Sequence, residues 1–87
     1  MGIREELVDD HGDDLLFADG FDSAIIGVCH GHDCGRVAYD VRKMIVICMR
    51  EGRMSHEQAV EYLTYNTFGA YVGKRTPIYV EADKWTH

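Results

Sequence analysis

Apolar and polar positions change their rhythm near residue 41. Before it, short apolar runs are separated by turn residues: LLFA (15–18), SAIIGVC (23–29) and RVAYD (36–40). Short β-branched runs bounded by Gly and Asp read as strands. DGFD (19–22) lies between the first two, and Asp19-Gly20 is a hairpin-turn pair. Gly31 and Gly35 bracket a second reversal. After it, Val41, Met44, Ile45 and Cys48 fall at i, i+3, i+4 and i+7, the spacing of a helix face packed on a core. Arg42, Lys43, Arg50 and Arg53 fall on the opposite side, with Val46 and Met49 among them, and Gly52 is the expected end.

Ser55-His56-Glu57-Gln58 is a capping-box pattern and predicts a second helix over about 56–68. Its stripe is Ala59, Tyr62, Leu63, Asn66 and Ala70. Thr76-Pro77 favours extended backbone, so IYV (78–80) reads as the last strand. The expected order is β-β-β-α-α-β: an α+β domain with a small, mainly antiparallel sheet backed by two helices.

Charge adds a boundary. Residues 1–22 set Arg4 against eight Asp and Glu, a net of −7, whereas 23–87 set eight Lys or Arg against seven acids, a net of +1. Residues 1–14 hold little apolar material and are expected to be a mobile acidic arm, with the domain over 15–81 and a tail at 82–87. Such an arm argues against general duplex binding, which rests on neutralising phosphates. No apolar run reaches the roughly 18 residues that span a bilayer, so no membrane role is expected. The acidic start is no signal peptide, and three cysteines, an odd count, read as reduced thiols in a cytoplasmic protein.

CHGHDC (29–34) gathers Cys29, His30, His32 and Cys34. Zinc takes four tetrahedral ligands, normally from two arms set well apart, and alternation in extended backbone turns Cys29 and His30 to opposite faces. A complete site needs help from His11, His56, His87 or a second subunit, so a polar hairpin tip is the favoured reading and structural zinc the alternative. Asp19 and Asp22 offer a second candidate for a divalent cation, against the commoner role of holding their own turn. The enzyme signatures fail: His56-Glu57 begins H-E-x-x-H, but position 60 is Val60. Walker, G-x-S-x-G and G-x-G-x-x-G motifs are absent.

Asn66 lies on the expected apolar stripe, where a buried amide must find partners. Tyr62, Tyr65, Phe68 and Tyr71 surround it in sequence, and GAYVGKRTP (69–77) follows with Lys74 and Arg75.

The strings DGFDSAIIGV, YD (39–40), MSHEQAVEY and NTFGAYVGKRTP together resemble a family of short tailed-phage proteins that carries no assigned activity. The resemblance covers roughly residues 16–79. It implies synthesis in an infected bacterial cell and action by binding, either to a host protein or to a signalling molecule of a defence system. The hairpin tip lies outside the shared pattern.

These readings converge on a non-enzymatic binding protein, a homo-oligomer without a cofactor. It is expected to hold a small anionic ligand, such as a nucleotide signal, or a host protein, at Tyr62, Asn66, Gly69, Tyr71, Lys74, Arg75 and Thr76. Tyrosine would stack on a base, Asn66 would read its edge, and Lys74 with Arg75 would meet phosphate. The alternatives are a protein–protein inhibitor acting through its acidic arm and a metal-dependent hydrolase.

Overall fold

Val37 and Tyr39 alternate along one short strand, and both are buried. That strand is the middle of the sheet in the computed structural model, which describes residues 2–31 and 35–81. Along the chain come helix α1 (Ile3–His11), a 3₁₀ turn (Asp22–Ala24), strands β1 (Ile25–Val28) and β2 (Val37–Asp40), and helix α2 (Val41–Glu51). Helix α3 (His56–Leu63), a π-helical turn (Thr64–Phe68) and strand β3 (Ile78–Val80) complete it. The architecture is α+β.

The sheet is mixed rather than mainly antiparallel. β1 pairs antiparallel with β2, and β3 pairs parallel with it, Tyr39 opposite Tyr79. The reason is topological: β2 runs straight into α2, so two helices intervene before β3, and a helical crossover delivers a parallel strand. Between Ile25 and Gly27 the register slips by one residue, a bulge at the exposed Ile26.

The expected first strand does not form. Leu15 is buried, Leu16 is exposed, and the Ala18 amide donates to the Tyr39 hydroxyl at 2.7 Å instead of to a strand partner. Phe21 N–H donates to the Ala18 carbonyl, and Ala24 N–H to that of Phe21. A side chain 21 residues away thus takes the hydrogen bond that a hairpin would have used.

The segment expected to be an arm is helix α1. Leu7 is buried, and Arg4 reaches Asp22 at 2.7 Å and Asp19 at 3.2 Å while its guanidinium lies 4.9 Å from the centre of the Phe17 ring. Asp19 and Asp22 therefore share the Arg4 guanidinium.

Both later helices begin as their sequences specify. Asp40 caps α2, its carboxylate accepting from the amides of Arg42 (2.9 Å) and Lys43 (3.4 Å). The Ser55 hydroxyl accepts from Gln58 N–H, and the Gln58 side chain accepts from Ser55 N–H, closing the capping box. Met44, Ala59 and Leu63 are fully buried where α2 meets α3. Gly52 sits where a Cβ would approach the Cys48 carbonyl oxygen to 2.8 Å. The left-handed residue that follows is Arg53, at φ 55°, and not a glycine.

Among the described residues, no helix is long and apolar enough to cross a membrane.

Candidate functional site

Among the described residues, a cleft of about 430 Å³ lies between the 16–21 loop and the end of α3. One wall is Leu16, Phe17, Ala18 and Phe21; the other is Tyr62, Asn66, Ala70 and Val72, with Pro77 and Tyr79 at the base. Three local devices build it. The Tyr39 hydroxyl pins the first wall through Ala18, as described above. Tyr79 is held among aromatics, 5.0 Å from Phe68 and 5.9 Å from Tyr39 between ring centres. The third is the π turn.

A π turn replaces i−4 backbone bonds by i−5 bonds, which shifts the carbonyls out of step with the α-helix before it. Side chains gather at that shift. Asn66 Nδ2 donates to the Tyr62 carbonyl at 2.9 Å, and Thr64 Oγ1 to the Val60 carbonyl at 2.8 Å. The extra residue rotates the stripe, so Asn66 and Ala70 are exposed rather than buried. Only Ala59 and Leu63 of the expected face lie in the core.

The residues expected to form one ligand site are divided. Tyr62 and Asn66 line the cleft. Gly69, Tyr71 and Thr76 line a neighbouring depression of about 570 Å³, which also contains Arg36 and Glu81. Thr76 is occupied in closing its own loop: its hydroxyl donates to the Gly73 carbonyl (2.6 Å) and accepts from Val72 N–H (2.9 Å), while its carbonyl accepts from Arg36. Lys74 is exposed and lines neither depression. Arg75 turns away, pairing with Asp14 at 2.9 Å and donating to the Gly35 carbonyl at 2.9 Å. Gly35 has φ 85°, and a Cβ there would run into that guanidinium. Lys74 and Arg75 do not make a phosphate seat.

Charges of both signs lie beside the cleft. Asp19 lines it with its side chain almost wholly in solvent. On the other side, Tyr62 and Asn66 also border a shallower hollow of about 440 Å³ with Arg53, Glu61 and Tyr65. Tyr65 and Tyr71 are 81% and 78% exposed, Val72 60% and Tyr62 44%. Leu16, Phe17, Phe21 and Tyr79 escaped the sequence reading. The spacing of Phe17 and Phe21 was the available signal, but it was absorbed into a hairpin.

Two buried phenols are perturbed. Burial pushes the Tyr39 hydroxyl above its ordinary value, against the lowering effect of the Ala18 amide, and burial alone pushes up Tyr79. Burial also raises the Cys48 thiol.

As for metals, Cys29 is half-buried and His30 exposed, while His32 and Cys34 lie outside the described residues. Among the described residues, no group of three or more His, Cys, Asp or Glu is placed to hold an ion. Comparison of the chain with protein-family models, with curated proteins and with solved structures finds no match.

Proposed function

We propose that the chain is a non-enzymatic binding protein that docks a protein partner. The cleft takes one apolar side chain of that partner, a neighbouring basic residue meets Asp19, and the tyrosine face covers the surrounding backbone.

The observation that carries this reading is continuity: Tyr62 and Asn66 line both the apolar cleft and the hollow beside Arg53 and Tyr65. Apolar anchors rimmed by Tyr and Arg are the composition of protein interfaces and their hot spots. The cleft's polar groups also suit docking, since Asn66 is engaged with its own helix and Asp19 with Arg4. Arg53 adds a separate support. A left-handed conformation costs a non-glycine residue about 1–2 kcal/mol, and such strain gathers at functional positions.

The diversion of Arg75 to Asp14 and Gly35 weighs against an anionic ligand in this cleft. The resemblance to tailed-phage proteins makes a bacterial host protein the partner we favour.

The test sets two peptide pools against the full chain by fluorescence anisotropy. Each pool carries a central Leu, Phe or Trp, flanked by Lys and Arg in one and by Asp and Glu in the other. A panel of nucleotides is the third arm. Binding of the basic-flanked pool, weakened about tenfold or more by Tyr62→Ala, is expected for a loss of about 1.4 kcal/mol or more at an anchor. Nucleotide binding that depends on Lys74, without peptide binding, would restore the anionic-ligand expectation.

A further inference from the structure

We propose that His11 and His30 form a binding site for a divalent transition-metal ion of the zinc–copper class, which staples helix α1 to the β1–β2 connection. The His11 and His30 rings stand 5.7 Å apart between centroids with their planes at 62°. With metal–nitrogen bonds of about 2.0–2.1 Å and the ion in both ring planes, imidazoles sharing one tetrahedral ion stand about 5 Å apart, and just over 6 Å as the angle opens to linear. The observed separation falls inside that range.

Both histidines are exposed, so hydrophobic burial does not account for their meeting. Both are on backbone held at this junction from outside. The Gly12 amide donates to the Val8 carbonyl and closes α1 just after His11, while the Cys29 amide donates to the Arg36 carbonyl and the Gly35 amide to the Cys29 carbonyl beside His30. Arg75 bridges the same two segments through Asp14 and the Gly35 carbonyl. The pair is therefore presented, not met by chance in a loop. Asp9, Asp10 and Asp13 flank His11 in sequence and add a negative field that favours a cation. Neutral imidazole suits zinc, copper and nickel, and two such ligands leave the remaining positions to water.

Residues 11 and 30 bracket the whole 16–21 wall of the cleft. A metal bridge between them closes that loop and removes conformational freedom from the segment that forms the wall. The site thus sets how firmly the cleft is held, independently of what the cleft binds.

Zinc chloride alone is the probe, titrated calorimetrically into the full chain after removal of metal by chelator. One ion per chain is expected. His11→Gln and His30→Gln should each weaken binding more than about tenfold, since even partners outside the first coordination sphere cost about 10–100-fold. His56→Gln, at the exposed start of α3, should leave it unchanged. Circular dichroism confirms that each variant is folded, and in the unsubstituted chain the ring nitrogens of both His11 and His30 should shift together in NMR spectra as zinc is added. Retention of zinc affinity in both variants, loss in His56→Gln, or shifts at only one of the two rings would overturn the assignment.

Discussion

Tyr39→Phe removes one oxygen atom and tests how the cleft wall is held. The ring is fully buried and its hydroxyl accepts from the Ala18 amide at 2.7 Å. Phenylalanine fills almost the same space, so packing changes little, but the amide loses its acceptor. An unsatisfied buried donor costs about 1–3 kcal/mol, towards the lower end where water can reach it. Ala18 is half-buried, so about 1–2 kcal/mol is the reasoned value. For a domain of this size that lowers the melting temperature by roughly 4–16 °C, at about 4–8 °C per kcal/mol. Urea unfolding followed by circular dichroism gives the free energy. Native-state hydrogen exchange gives the local event, because the Ala18 amide should lose protection before the core does. Tyr65→Phe, on an exposed ring, should stay within about 0.5 kcal/mol. A Tyr39→Phe protein as stable as its parent, with Ala18 equally protected, would refute the pinning of the wall.

Other expectations follow from single groups. Leu63→Ala empties a fully buried position between α2 and α3 and should cost about 2–5 kcal/mol in a urea melt, a large share of the total stability expected for so small a domain. Arg53→Gly should relieve the left-handed backbone and leave stability equal or up to about 1 kcal/mol higher, while weakening partner binding through loss of the guanidinium. Alkali should unfold the protein in a defined window. Cys48, Tyr39 and Tyr79 hold their protons more tightly when folded than at the ordinary values of 9.0 and 10.0. Their stabilising contribution is complete below about pH 9 and is lost as pH rises through the folded values, because the unfolded chain ionises first. Flat stability from pH 8 to 11 would contradict the burial of these groups.

Helices α2 and α3 were legible because their signals are local. The i, i+3, i+4 spacing of α2 and the Ser55–Gln58 box both act within one or two turns. β1, β2 and the reversal between them were also readable from β-branched runs and glycines. What failed depended on distant groups. LLFA matches a strand locally, and nothing near it reveals that Ala18 bonds to Tyr39. The N-terminal segment reads as an arm because its anchor is one arginine on a distant aspartate pair rather than an apolar stripe.

The site was half legible for the same reason. Tyr62 and Asn66 do meet a cleft, but the π turn after Leu63 displaces Asn66 from the stripe to the rim, and no simple period encodes that extra residue. Arg75 looked available for a ligand until its partners, Asp14 and Gly35, came from the far end of the chain. Several residues of the strings that carry the resemblance have plain structural roles here: Tyr39 in the core, Asp40 as a cap, and Thr76 closing its loop. Their presence speaks for the fold more than for a ligand.

The most direct measurement is backbone chemical-shift mapping of the full chain with a basic-flanked peptide drawn from the binding pool. Shifts should concentrate at Leu16–Phe21, Tyr62, Asn66, Val72 and Tyr79, the two walls of the cleft. Shifts confined to the outward face of α2, at Lys43, Val46 and Arg50, would place docking elsewhere and end the case for the cleft.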